Sequence, residues 1–168
     1  MAAGLTYVPI ATTTLGSSAS SYTFTSIPTT YTDIILIAQG IMTSNARIDL
    51  LMGNGSVDTG SNYSNTEMFG DGTNAYSQGR SNNSTMQGIF DGQGAGTGQF
   101  TFAAHFMNYA NTSTYKTVLG RYASVTGGSI GATVGLWRST AAINTIKIQP
   151  TSNFAAGIMF TLYGIASA

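Results

Sequence analysis

The sequence predicts an all-β chain, folded as an antiparallel β-sandwich with a jelly roll as the leading topology. Three observations predict it. Apolar residues recur at every second position, as they do in a strand with one buried face. Breakers such as Gly16-Ser17-Ser18, Ser26-Ile27-Pro28, Gly53-Asn54-Gly55, Gly70-Asp71-Gly72, Gly127-Gly128 and Pro150 cut the chain at strand-like intervals. No amphipathic stretch at helical spacing exceeds about two turns. Eight to ten strands, about as many as a jelly roll uses, are expected.

Taken in order, Tyr22 and Phe24 alternate with Ser21, Thr23 and Thr25. Ile34-Ile35-Leu36-Ile37 is apolar on both faces, which predicts a strand covered on both sides, mid-sandwich or against a neighbouring subunit. In Ala46 to Met52, Ile48, Leu50 and Met52 point one way while Arg47, Asp49 and Leu51 point the other. Residues 53–98 are poor in apolar side chains and rich in Gly, Asn and Ser. They read as a long loop-rich insertion holding short strands around Glu67-Met68-Phe69 and Met86 to Phe90, because a stretch of that length is not left structureless in a compact domain. Phe100, Phe102, Ala104 and Phe106 share one face of the next strand, opposite Thr101, Ala103, His105 and Met107. Ile146 and Ile148 alternate with Thr145 and Lys147. The expected core is therefore Tyr22, Phe24, Ile48, Leu50, Phe100, Phe102, Phe106, Ile146 and Ile148, in a single domain over residues 1–168.

Composition narrows the function. Only 7% of the residues are charged and the formal net charge is zero, against a typical charged share of about 25%. A generic nucleic-acid binder needs a Lys/Arg-rich face, which this balance excludes. The 42% apolar and 11% aromatic content argues against intrinsic disorder. Without Cys, and with His105 as the single histidine, one chain offers neither a disulfide nor a thiolate or multi-histidine metal site. The first residues lack the basic and apolar regions of a signal peptide, and no apolar run is long enough to span a bilayer. Few charges and zero net charge favour association, so a homo-oligomer is expected. All six acids precede residue 92, while Lys116, Arg121, Arg138 and Lys147 follow it. Pairing between the two halves explains this segregation within one chain; complementary patches between subunits explain it across an interface.

Each motif with chemical potential has a plainer reading. Asp58-Thr59-Gly60-Ser61 matches the aspartic-protease signature, with Val118-Leu119-Gly120-Arg121 at the separation of a retroviral-type dimeric enzyme. That chemistry needs two carboxylates sharing a proton in a buried loop after an apolar strand. Here Gly, Asn and Ser flank Asp58 on both sides, so it reads as a turn, and Asp58→Asn is expected to be nearly neutral. Gly92 to Gly98 alternates without phosphate-loop spacing and reads as a connector. Asp71 with Asp58 offers oxygen ligands for calcium, although Asp and Gly form turns for their own sake. His105 reads as structural, since no nucleophile elbow accompanies it. Trp137, beside Arg138, is the best candidate for a stacked anchor, on a sugar or at an interface. No catalytic residue, cofactor or metal ligand is expected. The interface candidates are Ile35, Ile37, Trp137 and Arg138.

Four stretches carry a family likeness: Ser26-Ile27-Pro28-Thr29-Thr30-Tyr31-Thr32-Asp33-Ile34-Ile35-Leu36-Ile37, Asp58-Thr59-Gly60-Ser61-Asn62-Tyr63-Ser64, Leu136-Trp137-Arg138-Ser139-Thr140-Ala141-Ala142-Ile143, and Phe160-Thr161-Leu162-Tyr163-Gly164-Ile165. In this order, and across nearly the whole chain, they resemble a β-rich surface module of tailed-phage virions, of the marine and cyanobacterial phage type. The resemblance implies a non-enzymatic virion protein. Its leading role is capsid decoration: a cement protein, made in the host cytoplasm, that forms a homo-oligomer, most simply a trimer, on the major capsid protein. The alternative is a tail-fibre or tail-tip module that binds host-surface glycans. The chain begins near its first strand and ends at its last, with no shaft or anchor, which favours decoration.

Overall fold

The computed structural model describes residues 6–91, 98–124 and 128–166. Among them are thirteen strands and no helix. They are β1 (Tyr7–Thr14), β2 (Tyr22–Phe24), β3 (Asp33–Ile41), β4 (Arg47–Asn54), β5 (Ser56–Val57), β6 (Tyr63–Gly70), β7 (Ala75–Asn83), β8 (Met86–Asp91), β9 (Gln99–Met107), β10 (Lys116–Ser124), β11 (Ile130–Trp137), β12 (Thr145–Pro150) and β13 (Met159–Ile165). A large sheet runs β1-β13-β3-β9-β10-β11-β6-β7; a small one runs β2-β12-β4-β5, with β8 also paired to β4. Every pairing is antiparallel. The fold is a β-sandwich, as the alternation predicts.

The core lies between the two sheets. Ile34, Leu36 and Ala38 enter it from β3, Phe100, Phe102, Ala104 and Phe106 from β9, and Ile48, Leu50 and Met52 from β4. Eight of the nine expected core residues are buried. The ninth, Tyr22, is half-buried and stacks on Phe160 with ring centroids 5.3 Å apart. Ile146 and Ile148 of β12 lie between β2 and β4, which places them at the centre of the small sheet.

Two expectations change. In β3, Ile35 is only half-buried and Ile37 is exposed, so within the chain the strand is covered on one side and the mid-sandwich alternative falls, while that of a neighbouring subunit stands as an expectation. Burial on both faces is found instead in β4, where Asp49 and Leu51 are enclosed along with Ile48 and Leu50, and in most of β8. Residues 53–98 are also more regular than a loop-rich insertion. They supply β5 to β8, and the expected short strands extend to Tyr63–Gly70 and Met86–Asp91. Between them lies β7, a strand the sequence does not announce. The expected connector Gly92–Gly98 lies, apart from Gly98, outside the described residues.

β8 runs beneath the large sheet, and glycines make the room. A Cβ on Gly120 of β10 would sit 2.3 Å from Ile89 Cδ1, and one on Gly135 of β11 would sit 2.2 Å from Met86 Sδ. Only a bare backbone allows that approach.

Candidate interaction surface

The outer face of the large sheet carries a continuous cross-strand row: Tyr163, Ile35, His105, Leu119, Val134 and Thr66. The row beside it runs Ile37, Ala103, Arg121, Ala132 and Met68. Strand parity puts Tyr7, Ile41 and Ile130 on the same side. Most of the large apolar side chains that the molecule exposes are therefore on this one face, with Met68 61% and Ile130 63% accessible. A single-sandwich sheet ordinarily turns polar residues outward. Among the described residues, charge here is confined to Arg121, the pair His105–Asp33 and, at the rim, Arg138 bonded to Ser64. His105 Nε2 lies 2.8 Å from Asp33 Oδ2, and the Asn108 amide donates to Oδ1 at 2.6 Å. The ring's cross-strand neighbours are Ile35 and Leu119, and among the described residues no hydroxyl bonds it. A shallow depression of about 310 Å³ beside it is lined by Tyr7, Ile35, Ala103, Leu119, Arg121 and Ile165.

Of the four residues singled out from sequence, Ile35 and Ile37 are on this face, Arg138 is at its rim against Ser64, and Trp137 is not on it. Trp137 is 2% exposed and stacks on Tyr63, with rings 6.4 Å apart and 13° from parallel. It anchors the inside of its own chain and presents no ring to a partner. Its Nε1 donates to Asp58 Oδ2 at 2.8 Å; Asn62 Nδ2 donates to the same oxygen and the Gly60 amide to Oδ1, both at 2.8 Å. Burial raises the Asp58 carboxyl, but the bonds from Trp137, Asn62 and Gly60 outweigh it and hold the group below the usual carboxylate range. Tyr63 Oη, donating to a carbonyl of Met52 or Asp58 and accepting from the Met52 amide, closes the same loop. Asp58-Thr59-Gly60 is thus a fastening for the start of β6. Arg138 completes it, donating to Ser64 Oγ, the Ser61 carbonyl and Asn82 Oδ1.

A second polar group, unforeseen from sequence, is buried between the sheets. On β6 the pattern is inverted: Asn65 and Glu67 point inward while Thr66 and Met68 point out. Tyr122 Oη donates to Glu67 Oε1 at 2.8 Å, and Arg80 Nη1 donates to Oε2 at 3.0 Å. Arg80 Nη2 lies 3.5 Å from Asp91 Oδ2 and also reaches Gln78. Burial pushes the Glu67 carboxyl up, and Arg80 and Tyr122 offset only part of that rise. Nearby, Arg47 grips buried Asp49 with two bonds of 2.7 and 3.1 Å, while Thr85 and the Gly88 amide donate to the same carboxylate.

These contacts change the charge picture. Among the described residues, Asp49, Glu67, Asp91 and Asp33 pair with Arg47, Arg80 and His105, while Asp58 and Asp71 accept from uncharged donors; Lys116 and Arg138 bind carbonyls and uncharged side chains instead. The calcium pairing fails on distance. Asp58 precedes β6 and Asp71 follows it, roughly 23 Å apart along an eight-residue strand. The Asp71 carboxylate bonds the amides of Thr73 and Asn74 in its own turn.

No family model matches the sequence, and no curated protein is similar to it. Among solved structures, the chain is similar to an exo-inulinase from Aspergillus awamori at 14% identity and a TM-score of 0.43, covering 95% of this chain and 29% of that one. It is similar to the Caenorhabditis elegans galectin LEC-6 at 5% identity and a TM-score of 0.39, covering 93% and 96%. An alginate lyase complexed with alginate tetrasaccharide follows at 8% identity and a TM-score of 0.27. The chain therefore spans less than a third of the inulinase.

Proposed function

We propose that this chain is a non-enzymatic virion surface protein, a capsid decoration protein whose copies associate through the outer face of the large sheet and mount on the major capsid protein. The observation that carries the reading is that face: apolar, nearly uncharged and unpartnered within the chain. Eight strands about 4.8 Å apart and roughly 26 Å long give it about 1,000 Å², above the ~800 Å² per partner of a stable interface. Seven of the nine large apolar side chains exposed among the described residues lie on it, and such a cluster marks a contact surface. The likeness to phage virion modules supports the capsid as its setting and a trimer as its copy number.

The test is sedimentation of the protein alone and with stripped capsids, in about 1 M salt. Assembly and capsid binding are expected, and the double variant Leu119→Asp, Val134→Asp should lose the association made through the outer face while remaining folded. A monomer that ignores capsids but labels host cells would instead establish the receptor-binding reading, with a surface glycan as ligand.

A further inference from the structure

We infer that β7 is a pairing edge, and that its occupant is the β7 of a second copy, aligned antiparallel about a twofold axis so that the two large sheets become one. This goes beyond the outer-face reading and does not rest on it. A sheet edge presents unpaired N–H and C=O groups, and proteins blunt such edges with proline, bulges, charge or short length. Every other edge here is blunted. β1 carries Pro9 and a bulge between Pro9 and Ala11. β2 has three residues and β5 has two, and β8 is bulged against β4 and buried beneath the large sheet.

β7 has none of these guards over most of its length. It spans nine residues, and Ala75 to Arg80 pairs with Gly70 to Asn65 of β6 without a break. The register shift lies beyond, towards Asn83. Nothing among the described residues pairs with its other side. Its single charge, Arg80, is turned under the sheet onto Glu67 and Asp91, so two such edges meet without like-charge repulsion. Main-chain pairing asks no particular sequence of a partner, and two copies of one strand satisfy each other by symmetry. An isologous twofold contact is the commonest form of self-association. Concentration on a shared surface would strengthen a contact built from a few backbone bonds.

The chain lacks cysteine, which makes the contact easy to probe. Ser77→Cys and, separately, Thr14→Cys on the opposite edge are treated with a maleimide cross-linker reaching about 15 Å, enough for neighbouring registers of an antiparallel pair. Dimers are expected from Ser77→Cys and not from Thr14→Cys. Adding Gly79→Lys, where a Cβ meets open space, should cut the dimer yield at least about tenfold through charge repulsion across the axis. Hydrogen exchange reads the same contact without any variant: alternate amides within Ala75–Arg80 should gain protection as concentration rises. Equal cross-linking at both edges, or protection independent of concentration, overturns the inference. Outer-face variants such as Leu119→Asp should leave the Ser77→Cys dimer intact, so failure of either reading is separately visible.

Discussion

Asp58 shows how far a motif can be read before its contacts are known. Its Asp-Thr-Gly context signals a tight turn, and the turn is there. What the sequence does not convey is that an indole 79 positions away donates to its carboxylate. The expected neutrality of Asp58→Asn is therefore revised, because an amide turns a donor toward one of three donors. Asp58→Asn should cost about 1–2 kcal/mol. The carboxyl's native pKa is lowered, so its contribution is present at neutral pH and lost as pH falls through the native value. The difference between variant and wild type should thus shrink on acidification; a constant difference across urea melts would sink this account. Glu67 carries the opposite sign. Its native pKa is raised, so it favours the folded state at low pH, and that contribution is lost as pH rises through the native value. Arg80 restrains the rise. Removing it with Arg80→Ala leaves Glu67 and Asp91 buried without their cation and should cost about 3–5 kcal/mol. The loss should be larger near pH 8 than near pH 5, as urea unfolding at the two pH values can show. Phe102→Ala, which opens a cavity in the core, should cost roughly 3–5 kcal/mol independently of pH.

Among the elements, those with apolar alternation were legible: β2, β3, β4, β9 and β12 were marked by their own side chains. β6 was legible only as a short strand around Glu67–Phe69, and β7 was not, for two physical reasons. On β6 the inward positions are held by Asn65 and Glu67, so a reading that sends apolar residues inside places Met68 in the core. Only Arg80 and Tyr122, from other strands, make the native orientation favourable. β7 is an edge with little buried side chain, so no pattern of burial is written into it. Gly88 has φ +70°, and a Cβ there would lie 2.8 Å from Glu67 Oε2. Gly88→Ala should cost about 1–3 kcal/mol from backbone strain, with the contact adding to it. Gly79→Ala on β7, with open space around it, should stay within about 0.5 kcal/mol of wild type. Thermal melts of the two variants side by side check that contrast.

For the whole molecule, the sandwich was legible because alternation and breakers report on both sheets at once. The interaction surface was legible in part. What shows is an exposed apolar face: Ile35 and Ile37 pointed to its side of β3, yet Leu119, Val134, Met68 and Ile130 come from strands that meet only in the folded sheet, and sequence order hides their adjacency. With so little charge on that face, self-association should change less than about threefold between 0.1 and 1 M salt, since screening acts on exposed charges; sedimentation at the two ionic strengths decides it. The order β1-β13-β3 has a further consequence, felt during synthesis. β13 sits between two strands made more than a hundred residues earlier. Until residues 159–165 leave the ribosome, β1 and β3 have no strand to join them, and the inward apolar row of β3 waits beside an empty slot. The nascent chain must shelter that row, in a chaperone or in a provisional collapse, until those residues emerge.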